Sequence, residues 1–352
     1  MTTTTIADWD VARRVAERVA SSSAMRVDPG TASVLRADLH AAVAKADPVA
    51  RSVTGLGADL EPATAHVVGR TTWIRLNLAS IAWVTDPLAD KLLDRTGVQR
   101  AVARKGLGVQ LGVVVGYLAS RVLGQYEVLR PGNRTPGRLL LVGPNLLSVE
   151  RRHLPETGVD AREFRFGVVL HELAHRLQFE GVPWLRGHLH GLLDAYFSEA
   201  SLDNELLKEM AGRLPDLLRD RDRLRDPQNL VQEVLTPEQG EVFEQAQAMM
   251  SLLEGHGNAV MDWGAEQVGD FDPARVRTVL NRRRSKPGEQ ALRNALGLGL
   301  KAQQYATGER FILDVAERHG RETFNRVWDD PAMLPTGDEL ADSDAWVQRV
   351  AP

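Results

Sequence analysis

Apolar residues recur along this chain at helical spacing for most of its length. Asp8 to Ala20 opens on an N-cap candidate and spaces Val11, Val15 and Val19 four apart, with Arg13, Arg14, Glu17 and Arg18 outward. Ala32 to Ala46 repeats the pattern through Val34, Leu35, Leu39, Ala42 and Val43, and Asp47-Pro48 is expected to stop it. Thr71 to Leu93 reads as helix with a break near Asp86-Pro87. Gly97 to Leu123 reads as a helix in which Gly108, Gly112 and Gly116 recur every fourth residue. The period then changes. Tyr126 and Val128, a turn cluster at 132–137 and the apolar run Leu139–Val142 predict a short hairpin ended by Gly143-Pro144. Helical spacing returns from Asp160 or Ala161 to about Gly181, then over Leu192–Leu214, Pro237–Gln267, Pro273–Arg284 and Gly288–His319. A charge run at 219–226 reads as a solvated face, and the tail is punctuated by prolines.

The pattern thus predicts a mainly α fold with a small hairpin or sheet beside one central helix. With 352 residues, 43% of them hydrophobic, and no long linker, the chain is expected to form one domain. Its halves are a helical 1–160, with the hairpin near 125–143, and 161–352 carrying the chemistry. A formal charge of −4 with mixed signs gives no electrostatic case for nucleic acid. The run Leu107–Leu123 contains Gln110, Ser120 and Arg121 and falls short of the roughly 20 apolar residues of a membrane span. It is expected to be a buried core helix. The first ten residues lack a basic and an apolar region of the secretory kind, which leads to the expectation of a cytoplasmic protein.

Cysteine is absent, so any bound zinc must be held by histidine and carboxylate, which suits a catalytic site better than a structural one. The central helix supplies such a set. His171-Glu172-Leu173-Ala174-His175 lies between Val168 and Leu177 with no Pro or Gly up to Glu180. Residues four apart share a helical face, so His171 and His175 can grip one ion, and Glu172 beside them is placed as general base. The bland alternative is a buried amphipathic helix whose histidines merely hydrogen-bond. A third ligand is sought downstream. The position six beyond His175 is Gly181 and the position three beyond is Gln178, which excludes a third histidine of the His-x-x-Gly-x-x-His kind. Glu254 follows the apolar Met249, Met250, Leu252 and Leu253, company in which a carboxylate is costly to bury unless paired or bound to metal. His256, about 200° further round the helix, is expected to act beside the site and not as a ligand of the same ion. Asn258 and Asp262 are candidates for orienting a ligand histidine, and His188, His190, Tyr196, His256 and Tyr305 for stabilising an oxyanion.

No Gly-x-Ser-x-Gly elbow or phosphate-binding Gly-Lys-Ser/Thr loop is present. The glycines at 106–112 lack the preceding strand of a dinucleotide fingerprint.

His171–Phe179, Val182-Pro183-Trp184-Leu185 and Leu253-Glu254-Gly255-His256 through Asp262 resemble a bacterial, mostly actinobacterial, family of zincin-like metallopeptidases. Asp8-Trp9-Asp10, Val122–Tyr126, Pro144-Asn145, the Lys301 to Gly308 segment and Leu334-Pro335-Thr336 fit it as well, nearly end to end. One branch of that family is associated with deazaflavin-cofactor biosynthesis. The resemblance implies a mostly helical zincin fold, one zinc ion and glutamate as third ligand, here Glu254. A related branch has Trp in place of His256, which argues against His256 as an obligatory ligand. It implies a zinc-dependent hydrolase acting on a peptide or protein, and names no substrate. The rival expectation is a binding or scaffold protein on a zincin frame, against which an intact Glu172 speaks.

Overall fold

The computed structural model describes residues 4–21, 27–92, 97–132, 136–198, 237–284 and 301–351. The expected charge run at 219–226, half of the turn cluster at 132–137, the end of the helix predicted to Leu214 and the start of that predicted from Gly288 lie outside the described residues. The fold is mainly α with one three-stranded sheet among the described residues. Two compact units can be distinguished: 1–48 with 61–176, and 49–60 with 177–352.

The first unit is built on α1 (Trp9–Ser21), α2 (Pro29–Thr54, up to Pro48), β1 (Ala65–Val68), α3 (Arg70–Thr85), α4 (Ala89–Leu92), α5 (Gly97–Ala119), β2 (Gly124–Glu127), β3 (Arg138–Val142) and α6 (Gly143–His153). Asp8 caps α1 through the Val11 amide, as its position in the sequence suggests. The buried stripe of α1 is nevertheless Ala12, Ala16 and Ala20, one position on from the valines. The glycines of α5 explain the shift. A Cβ on Gly112 would come within 2.6 Å of the Ala12 carbonyl oxygen and 2.7 Å of Val15 Cβ. One on Gly116 would come within 2.5 Å of the Ala16 carbonyl oxygen, and one on Gly108 within 2.6 Å of that of Asp8. Three bare positions on α5 therefore receive the alanine ridge of α1, and the valines flank it. Alanine opposite glycine lets two backbones meet where a larger pair would hold them apart.

Helix α5 buries Val115, Tyr117 and Ala119 as well as its glycines, whereas Val109 and Val113 are 45% and 38% exposed. No helix among the described residues is long and apolar enough to cross a membrane. Helix α2 starts at Pro29, where Asp28 accepts from the Thr31 amide, and it runs through Pro48 to Thr54 instead of stopping at Asp47. Proline removes one helical donor. The Asp47 carboxylate beside it is anchored by the Ala63 amide and by Arg176, so the chain is held through the break.

The sheet has the order β1-β3-β2, with β1 parallel and β2 antiparallel to β3. β3 is thus the central strand, which is why it reads as the unbroken apolar run Leu139–Val142, all buried. The sheet edges among the described residues are β2 and, on the other side, β1, which the sequence pattern did not predict. Side chains at alternate positions of β2 are pinned to α3. Gln125 and Asn77 exchange two amide hydrogen bonds of 2.9 and 3.2 Å, and Glu127 accepts from Ser80 and pairs with Arg138. Asn145 is buried, accepts from Arg70 and donates to the carbonyls of Ala119 and Val122, tying α6 to the end of α5.

Helix α7 (Ala161–Gly181) has the bounds its pattern predicts, with Asp160 accepting from the amides of Arg162 and Glu163. The second unit holds α8 (Leu185–Ser198), α9 (Pro237–Gln267), α10 (Pro273–Arg284), α11 (Lys301–His319), α12 (Arg321–Asn325), α13 (Gly337–Ala341) and α14 (Ser343–Val350). α8 begins seven residues before the expected Leu192, directly after the turn at Pro183-Trp184. The glycine patch at 255–257 leaves α9 unbroken. Gly255 and Gly308 instead let α9 and α11 pack backbone to backbone, Gly255 against the Glu309 amide and Gly308 against the Ser251 carbonyl.

Candidate metal centre

Helix α7 is held by charge on its first turns and by a neutral amide near its end. Arg165 forms two 2.7 Å hydrogen bonds to Glu150 of α6 and one to Asp38 of α2. The hydrogen bonds from Arg165 to Glu150 raise the arginine's pKa further, so the clamp stays charged. Arg176 reaches Asp47 and donates to the Glu61 carbonyl at 2.7 Å. Val168, Val169, Leu170, Leu173, Ala174 and Leu177 are buried, which fixes the rotation of the helix.

That rotation sets the half-buried His171 and His175 rings side by side. Their Nε2 atoms stand 3.2 Å apart with the rings edge to face at 88°. Two imidazole nitrogens held about 2.0–2.1 Å from one tetrahedral zinc stand about 3.3 Å apart, so the pair already has the span of a shared ion. His171, His175 and Glu254 each offer one ligand atom, and these atoms all lie within 4.8 Å of one another. No other group of three or more such residues meets that condition among the described residues. All three side chains are half-buried. Two neutral imidazoles and a carboxylate are the donor chemistry of a catalytic zinc site, so the residues fit the metal.

Gln178 lies three residues beyond His175 on the same face, and it is wholly buried. Its Nε2 donates to the Leu253 carbonyl at 3.0 Å and lies 2.9 Å from His256 Nδ1. An amide nitrogen only donates, so His256 Nδ1 accepts and a neutral ring carries its proton on Nε2. His256 is itself fully buried, with Trp263, Phe324 and Trp328 rings at 5.9, 5.5 and 5.0 Å. It stands in an aromatic cage and is not one of the three grouped residues. Gln178 thus grips α9 on both sides of Glu254. The expectation treated it only as a residue that is not glycine. A polar side chain seven beyond His171, on the buried stripe, was the available signal.

Glu172 also has a close neighbour that motif reasoning missed. A Cβ on Gly124 would come within 2.5 Å of Glu172 Cγ and 2.8 Å of its Cδ and Oε1. Other candidates are engaged elsewhere. Asn258 donates to Glu309 at 2.8 Å and Asp262 pairs with Arg277 at 2.7 Å. His188, His190 and Tyr196 lie on α8. Burial lowers the pKa of His188 and raises that of Tyr196, so both are neutral hydrogen-bond donors near pH 7. Tyr305 falls on α11, and its side chain lies outside the described residues.

The family model for zincin-like metallopeptidases matches residues 7–347. No curated protein matches the chain. A crystal structure from Chloroflexus aurantiacus, described as that of a proposed hydrolase with a novel fold, is similar at 29% identity and a TM-score of 0.70. The similarity covers 97% of this chain and 98% of that one.

Proposed function

The chain belongs to the zincin-like metallopeptidase family, and from that premise we propose that it is a zinc-dependent hydrolase that cleaves peptide bonds. The observation that carries the proposal is the meeting of His171, His175 and Glu254, with Glu172 next to the first of them. In this reading those three residues hold one zinc ion. When bound, zinc supplies a Lewis acid and lowers the pKa of a coordinated water toward about 7. The chain's own residues do the rest. Glu172 takes the proton from the water that attacks the scissile carbonyl carbon, and then delivers it to the leaving amine. Gln178 holds α9 on both sides of Glu254, and the Arg165 and Arg176 pairs keep α7 from turning.

The substrate in this reading is a peptide or protein in extended form, for which β2, an edge of the sheet that meets Glu172 at Gly124, offers a strand to pair with. Zinc-loaded wild-type protein and Glu172→Gln, offered a proteome-derived peptide library, test the proposal. The variant is expected to keep its zinc and to lose cleavage by about 10²-fold to 10⁴-fold. Equal cleavage by both forms would refute the role of Glu172. Zinc in both and cleavage by neither would favour a binding protein on a zincin frame.

A further inference from the structure

Strand β2 meets Glu172 at the one residue of that strand that has no side chain. Gly124 pairs with Leu141 of β3, and space for a Cβ there is already filled by the Glu172 carboxymethyl group, with Cγ at 2.5 Å and Oε1 at 2.8 Å. Which side would yield to an added methyl group can be read from how each is held. The strand is fixed on its opposite face, because successive side chains alternate. Gln125 is locked to Asn77 by two amide hydrogen bonds, and Glu127 is buried against Ser80 and Arg138. The Val142 amide further holds the Leu123 carbonyl at 2.8 Å, one residue before the glycine. The helix is equally fixed, by Arg165 to Glu150 and Asp38 and by Arg176 to Asp47 and the Glu61 carbonyl. Between two anchored backbones, the end of a flexible side chain is what moves.

We infer that Gly124 is a positioning residue for Glu172: the bare strand position reserves the volume in which the general base stands, and any side chain there turns the carboxylate away. This rests on the hydrolase reading for its catalytic consequence, but its steric content does not. Glycine is required here for the absence of a Cβ and not for an unusual backbone angle, since no positive φ occurs at this position. The same contact explains how a misplaced base could be produced without harm to the fold. A rotamer change at Glu172 leaves both anchored backbones in place, whereas about 1 Å of misplacement at a reacting group can cost about 100-fold in rate.

The experiment uses the full-length chain as Gly124→Ala, with Glu172→Gln and the double variant beside it. Its crystal structure, melting temperature, zinc content and cleavage of the peptide library are measured. The expected result is a melting temperature within about 2 °C of wild type, unchanged zinc, and a Glu172 carboxylate displaced by about 1 Å or more. Cleavage then falls about 100-fold, and Gly124→Ala causes no further loss in the Glu172→Gln background. A carboxylate that stays in place while β2 moves off would overturn the inference. So would full additivity in the double variant, which marks a general structural effect. If the carboxylate moves but wild type cleaves nothing, the steric inference stands and the peptidase reading falls.

Discussion

Helices α5 and α7 each repeat one residue type at every fourth position, and the two repeats do opposite things. On α5 the repeat is Gly108, Gly112 and Gly116, and what recurs is the absence of a side chain. The backbone of α1 enters the vacated groove until carbonyl oxygens stand where Cβ atoms would be. On α7 the repeat is His171 and His175, and what recurs is a ring nitrogen, brought to 3.2 Å from its twin. Both depend on the same geometry, that residues four apart share a face. Spacing therefore fixes which side chains meet, and only the chemistry of the residue decides whether the meeting is packing or a site. Gly124 joins the two cases, since there a missing side chain makes room for the side chain of Glu172.

The comparison can be broken at either helix. Gly112→Val should have the largest effect, because its Cβ would meet the Ala12 carbonyl at 2.6 Å, an atom of a packed backbone that cannot swing aside. A loss of about 3 kcal/mol or more is expected, at or beyond the upper end of ordinary overpacking, and thermal unfolding followed by circular dichroism would measure it. Near-wild-type melting would show that the two helices are not in close contact. The corresponding change at α7 should leave the fold and weaken the metal instead. Gln178→Leu keeps the volume but removes both hydrogen bonds that hold α9 beside Glu254. Zinc affinity, read by chelator competition, should fall about 10-fold to 100-fold, the usual cost of losing a group that orients a ligand. In a Glu254→Gln background the same change should add little. A full additional loss there would mean that Gln178 acts on something other than Glu254.

Much of this was legible in the chain, and the failures have physical reasons. Bounds for α7, α9 and α10 follow from long apolar periods closed by caps, prolines and glycines. The family and the mainly α fold were likewise readable, because the residues that carry the resemblance extend over most of the chain. The valines of α1 misled about its buried face, since hydrophobicity favours valine while close packing against glycine favours alanine. Pro48 looked like a stop because the anchor that carries α2 past it, Asp47 with Ala63 and Arg176, is assembled from residues far apart in sequence. Ala65–Val68 is four residues long and gains its strand character from pairing with β3, which no local pattern records. The same holds for Gly124, whose meaning lies in what stands opposite it.

The central claim is that His171, His175 and Glu254 hold one zinc ion, and metal analysis of the purified chain tests it most directly. Elemental analysis of wild type and His175→Ala, after exposure to limiting chelator, is expected to find about one zinc per chain in the first and none in the second. Both proteins should melt alike once wild type is stripped of metal. Wild type without zinc, or His175→Ala that keeps it, would contradict the account.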